Sequence, residues 1–473
     1  MTPLSATVWF EAMGHGLHEA TRELRAPFGG FLTRTELGWA FECELPPEWN
    51  PEPQRLRDAA LELPERWHDE LRPRVQAITA ELGRLRPERP PPEQARAAFD
   101  RLWGLVQEQW RLHFLTVIPA QAAAEVFRDR YVELFGDADP LAPYRLLEGA
   151  ASPADDELRG LVELARQLDV ADVLLEHGPD DARARLRELA AGRRWLHALD
   201  TYLLRYGGRA RWHELSLPRE SERPSLTFES IRLALSRPPA ERRVELPEVP
   251  AQLQDLAARV RGAHALKELH TYDIDYPGLQ ATREALRGFG RRLAAEGAFA
   301  DPEDVWMLER SELRAALVGE LEPLEALVET RRAELARGRA DGPAPFLGDP
   351  PPDGERHAIL EKFYGRGGAG LTGTPASPGR GEGVARVVVD EHDFGRVEAG
   401  DVLVTTTTTP AWTPLFPSLA ALVTETGGIL SHAAVVAREY RLPAVVGVLD
   451  ATRLITDGAR VRIDGTDGTV TVL

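Results

Sequence analysis

Thr424-Glu425-Thr426-Gly427-Gly428-Ile429-Leu430-Ser431-His432-Ala433-Ala434-Val435-Val436-Ala437-Arg438 is the stretch on which the reading of this chain turns. A short apolar run of strand type, Ala420 to Thr424, leads into it, and small residues at helical spacing close it. Paired glycines at such a junction let the backbone turn sharply and approach a ligand closely. Ser431 is a natural N-cap, so a helix is expected to begin at Ser431 or His432. The unpaired amides of that first turn then surround the imidazole, a poor place for an imidazolium and a favourable one for a dianionic phosphate. Neutral imidazole is nucleophilic near pH 7 and can take up and later release a phosphoryl group. His432 is therefore the candidate catalytic residue, with Thr424, Gly427, Gly428, Ser431 and Arg438 as candidate phosphate supports. Arg438 lies about one and a half helical turns on and could reach the phosphate or pair locally.

Around this motif, from Gly383 onward, the hydrophobic period is two. VARVVV, DVLVT, AALVT, PAVVGV, ARVRI and TVTVL are six strand candidates, with one helix, SHAAVVAREY, between the third and the fourth. ARVRIDGTDGTVTVL reads as a closing hairpin on Asp-Gly turn signals. Residues 373–473 are thus expected to form a small α/β domain. Upstream, residues 338–372 are rich in Pro and Gly apart from a short helical piece, HAILEKFYG, and read as a linker or hinge. Residues 1–337 read as one large, mainly helical domain. Phe99, Leu102, Leu105, Val106, Trp110 and Phe114 recur at helical spacing on one broad face. Asp301-Pro302-Glu303-Asp304 is a helix start, and FGGFLTRTELGWAFECEL near the N-terminus is a turn-rich β segment.

A chain of 473 residues predicts two or three domains. The formal charge of −18 argues against nucleic acid as a partner. The chain shows no basic, apolar leader and no apolar run near the roughly 20 residues that span a bilayer. Cys43 is the only cysteine, which excludes an internal disulfide and a Cys-based zinc site. A cytoplasmic protein without membrane association follows. Gly365-Arg-Gly367-Gly-Ala-Gly370 matches the dinucleotide fingerprint by letter but lacks a strand before it and a helix after it. Lys267 and Lys362, the two lysines, follow Leu and Glu, so no Walker A loop exists. Glu268, Asp273 and Asp275 read as solvated helix-end charges rather than a Mg²⁺ site, and no residue is assigned as a metal ligand. Trp212-His213-Glu214 reads equally as lining for an acceptor cavity or as an ordinary buried aromatic with polar neighbours.

The segment TPAWTPLFPSLAALVTETGGILSHAAVVAREYRLPAVVGV, residues 409–448, resembles the mobile phosphohistidine domain of the phosphoenolpyruvate-utilising enzymes. It follows the rifampicin phosphotransferase pattern nearly residue by residue, including the bulky Leu430. FGGFLTRTELGWAF, LLRYGGRARWHELSLPRESERP and LRGFGRRLAAEGAFADPEDVWMLERSEL are similar to that type's helical acceptor-binding domain. The resemblance implies that the small domain swivels and that the loop Pro410-Ala-Trp412-Thr-Pro414 packs beside His432. It also implies an Arg-Glu-x-x-Lys motif, which spacing from Arg283 maps onto Lys267, Glu268 and Thr271, so Arg has become Lys and Lys has become Thr. The family's His-Arg pair reads Gly208-Arg209. Lys267, Glu268, Arg209, Trp212 and His213 are accordingly the candidate acceptor-site residues.

Such relatives carry an ATP-grasp domain, for which this sequence has no room. ATP and Mg²⁺ are therefore expected on a separate ATP-grasp subunit, with no cofactor bound by this chain. His432 would ferry the phosphoryl group from that subunit to a small-molecule acceptor. The alternative is a non-catalytic relative that binds a small molecule or regulates a full-length enzyme.

Overall fold

The computed structural model describes residues 1–473 apart from 86–90, 148–152, 209–213, 237–247, 322, 343, 345–346, 349–369, 390–394 and 409. The linker helix HAILEKFYG and the Gly365–Gly368 run lie outside the described residues. By compactness the chain divides into two units that interleave in sequence. One comprises Met1–Ala123, His213–Pro218 and Leu269–Glu355; the other comprises Ala124–Trp212, Arg219–Glu268 and Arg356–Leu473. This division cuts across a 1–337, 338–372, 373–473 partition, because part of the helical region groups with the C-terminal sheet.

The first unit is helical apart from one hairpin, β1 (Gly30–Glu36) and β2 (Trp39–Leu45), paired antiparallel with Gly30 opposite Leu45. Leu37 and Gly38 turn the hairpin at φ +49° and +84°, the left-handed conformation of a two-residue turn whose twist suits the strands. The Pro92–Phe135 helix carries the predicted apolar face, with Phe99, Leu102, Val106 and Trp110 buried. Phe99 meets Phe289 of the Tyr276–Ala295 helix edge-on at 5.4 Å. Gly278 on that helix is required by close approach: a Cβ there would fall 1.9 Å from Nε2 of Gln109. Asp301 caps as predicted, accepting from the Glu303 amide, but the helix it starts is the short 3-10 segment Pro302–Met307. Glu309 then opens a new helix, Arg310–Ala316, with a reciprocal capping box to Glu312.

The second unit holds β3 (Thr374–Ser377), β4 (Arg380–Val388), β5 (Val402–Thr405), β6 (Ala421–Thr424), β7 (Ala444–Val446), β8 (Arg460–Asp464) and β9 (Thr469–Val472). They form one sheet in the order β3-β7-β6-β5-β4-β8-β9. The four central strands β4 to β7 run parallel, and β3, β8 and β9 pair antiparallel at the flanks. A bridge between Thr372 and Thr469 draws the two flanks toward each other, so the sheet curls. All six predicted strands are present, and ARVRIDGTDGTVTVL is the β8–β9 hairpin. β3 was not legible as a strand: Thr-Pro-Ala-Ser has a proline and no β-branched run, and it is tolerated because β3 is an edge strand with a bulge beside Pro375.

β5 and β6 are buried on both faces, as parallel strands covered from two sides must be. Val402, Val404, Ala421 and Val423 enter one core cluster, whereas Leu403 and Leu422 enter the other with Trp412, Phe416 and the His432–Glu439 helix. Burying each Val or Leu contributes about 1.5–3 kcal/mol, so this double-sided core anchors the segment that presents His432.

Candidate functional site

β6 ends at Thr424, whose hydroxyl donates to the Thr426 carbonyl at 2.7 Å. Gly427 follows at φ +125°, a conformation a side chain would strain, and a Cβ there would meet Ser431 Oγ at 2.9 Å. The Gly428 carbonyl accepts from the Ser431 amide at 2.9 Å. Ser431, extended at φ −63° and ψ 158°, caps the helix with its side chain accepting from the Ala434 amide. His432 is the first residue of that helix, as predicted. Its imidazole is 13% exposed, so it is enclosed yet reachable.

Two side chains take hold of the ring. Nδ1 lies 2.7 Å from Oε2 of Glu268, and Nε2 lies 3.3 Å from the Thr413 hydroxyl. A carboxylate accepts only, so Nδ1 carries a proton, and in the neutral ring this leaves the lone pair on Nε2. The other oxygen of Glu268 accepts from Nζ of Lys267 at 2.9 Å. Burial opposes ionisation of Glu268, but Lys267 and His432 overcome it and hold the carboxyl well below the usual range. The arrangement fixes the orientation of the ring, with Nδ1 held by Glu268 and Nε2 facing the Thr413 hydroxyl.

Glu268 and Lys267 lie near the end of the Gln254–His270 helix, and His264 lies one turn before them on the same face. His264 is buried, and burial together with Lys267 and Arg438 pushes its pKa down to about 3. In the unfolded chain an imidazole titrates near 6.5, so between these values the unfolded state binds a proton that the fold excludes. Stability should therefore fall as pH drops below about 6.5. His264→Gln should flatten that fall by up to about 1.4 kcal/mol per pH unit, read from urea midpoints between pH 7 and 4. An unchanged slope would remove His264 from the account.

Arg438 is buried, and Nη1 donates to the carbonyls of Ala376 at 3.0 Å and Ile429 at 2.9 Å. Of the two roles open to it, it takes the local one, bracing the loop that leads into His432. Thr424 likewise shapes that loop. The acidic trio is not a set of solvated helix ends. Glu268 is bound to His432, Asp275 is buried against His113 and His270, and only Asp273 makes a partly exposed pair, with Arg72. Their place at the end of a predicted helix suggested solvation, but burial is set by the elements packed against them. Arg209, Trp212 and His213 lie outside the described residues. The loop Pro410–Ser418 does pack beside His432, through Thr413 and, at 6.4 Å between ring centroids, Phe416. Sequence reasoning passed over His264 and took Thr413 only as part of the loop beside His432; the spacing 264, 267, 268 on one helical face was the available signal for the first.

Residues 397–468 match the family model of the PEP-utilising enzyme mobile domain, and residues 146–268 match that of the rifampicin phosphotransferase fourth domain. Two segments of the chain are thus similar to domains of phosphoenolpyruvate-utilising enzymes. It is 36% identical over 352 residues to a rifampicin phosphotransferase from Streptomyces sviceus, covering 65% of this chain and 39% of that protein. A chondramide synthase from Chondromyces crocatus is 32% identical over 412 residues, 77% of this chain and 10% of its own length. An uncharacterised phosphotransferase from Bacillus subtilis is 28% identical over 412 residues, 80% of this chain and 49% of its own. The chain thus spans from a tenth to about half the length of these relatives. His432 falls in the segment matched to the mobile domain and His264, Lys267 and Glu268 in the segment matched to the fourth domain, so the His432–Glu268 bond joins these two matched segments. No helix among the described residues is long and apolar enough to cross a membrane.

Proposed function

We propose that this chain is the phosphocarrier and acceptor-binding part of a phosphotransferase, with His432 as the carrier. An ATP-grasp subunit on a separate polypeptide supplies the phosphoryl group from MgATP, and the helical part, including Lys267 and Glu268, receives the acceptor. The observation that carries the reading is the 2.7 Å bond from His432 Nδ1 to Glu268, which leaves Nε2 as the nucleophile. In loading, the Nε2 lone pair forms the N–P bond while a P–O bond of ATP breaks and the nucleotide side keeps those electrons. In delivery, an acceptor oxygen forms a new P–O bond as the P–N bond breaks, and its proton passes to solvent or a nearby base. With Nδ1 still protonated against Glu268, imidazole departs as a neutral ring, a better leaving group than an imidazolate. Lys267 stays on the Nδ1 side of the ring, where its ammonium balances the Glu268 carboxylate.

The test is to load the chain with labelled MgATP through an ATP-grasp protein of the rifampicin phosphotransferase type and then locate the label. One acid-labile, base-stable phosphoryl group on Nε2 of His432 is expected, assigned by peptide mapping and ¹⁵N–³¹P coupling. Label at Nδ1 or on another residue would overturn the assignment. A folded chain that stays unlabelled would favour the non-catalytic binding role.

A further inference from the structure

Apart from the phosphohistidine machinery, the first unit gathers two imidazoles and a carboxylate on one buried spot. His113 Nδ1 lies 2.7 Å from Asp275 Oδ1, and His270 Nε2 lies 3.4 Å from Asp275 Oδ2. The ligand atoms of all three lie within 4.8 Å of one another. Their convergence has a local cause. Thr271–Asp275 is a single π-helical turn, so residues five apart, His270 and Asp275, come to one face. Gln109 holds this turn against the Pro92–Phe135 helix by donating from Nε2 to the Ile274 carbonyl, at 3.2 Å. Gly278 leaves the room Gln109 needs. His113, four residues beyond Gln109, then faces the same turn.

The geometry points to a divalent transition-metal site, with zinc as the best fit, formed by His113 Nδ1, His270 Nε2 and a carboxylate oxygen of Asp275. Ligand atoms at zinc bond lengths of about 2.0–2.1 Å in a tetrahedron sit about 3.3 Å apart, close to the His270–Asp275 separation. The shorter His113–Asp275 distance is that of a shared proton, which the metal replaces. Two His and one carboxylate make a donor set typical of zinc sites that keep a fourth position for water or a ligand. The surroundings are aromatic: His113 packs at 4.9 Å from Trp110, 4.7 Å from Phe114 and 4.7 Å from His270, centroid to centroid.

The test uses the full chain, stripped with chelator and titrated calorimetrically with Zn²⁺. One equivalent is expected to bind at micromolar Kd or tighter. His113→Gln and Asp275→Asn should each weaken binding by roughly 100-fold, and His432→Ala should leave it unchanged. Because a buried variant may fail to fold, Co²⁺ substitution of the unaltered chain gives a second readout. Visible d–d bands of a nitrogen–oxygen site, without the near-ultraviolet charge transfer of thiolate, are expected. No binding, binding lost in His432→Ala instead, or a thiolate spectrum from Cys43 would overturn the proposal.

Discussion

Replacing His432 with alanine should abolish phosphoryl incorporation while leaving the fold intact. With the ATP-grasp protein and MgATP, the unaltered chain is expected to gain one phosphoryl group and the variant none, by intact mass at neutral pH. No other described group combines the features that select His432: a helix-start position behind Gly427, a ring held by a partly buried carboxylate, and an enclosed but reachable face. The stability cost should be small, because His432 is partly exposed and its loss leaves Glu268 paired with Lys267. A melting temperature within a few degrees of the unaltered chain serves as the control. Equal labelling of both proteins would place the carrier elsewhere.

Glu268→Gln should produce the largest loss of stability in this region. The substitution keeps size and shape but removes the anion between two groups, leaving the Lys267 ammonium, with 6% of its side chain exposed, without its counter-charge. Removing one member of a buried pair typically costs about 3–5 kcal/mol, and with Glu268 19% exposed, solvent screens part of this, so a loss toward the lower end is expected. Lys267→Met alone should cost a similar amount, since it strands the carboxylate. The double variant should recover much of the loss, so the cycle should show a coupling of about 2 kcal/mol or more. Denaturant unfolding measures all four corners. The glutamine amide also lets the ring flip its proton, so ¹⁵N shifts of His432 should move from a single tautomer toward a mixture. Additive costs with an unchanged tautomer would mean that the Glu268 contacts do not organise the imidazole.

What could be read from the sequence was local. The turn at Gly427, the cap at Ser431 and the helix beginning at His432 depend on backbone preferences within a few residues. The β8–β9 hairpin and the six strands follow from a period of two and from Asp-Gly turns. Glu268 entered the reading through resemblance, as an acceptor-site residue, and nothing local ties it to a histidine 164 residues away. β3 escaped notice because its strand identity comes from the β7 edge it pairs with, not from its own residues. Arg438 had two possible targets within reach, and only the position of the Ala376 and Ile429 carbonyls decided between them. The same holds for His113, His270 and Asp275. The five-residue spacing of the last two predicts opposite faces of an ordinary α-helix, and it took a π turn, held by Gln109 from another helix, to bring them together. By itself the sequence determined the backbone that presents His432, because caps, turns and periodicity are short-range energies. The tertiary structure alone decided which nitrogen of that imidazole is free and which charges surround it, because those depend on contacts between segments far apart in the chain.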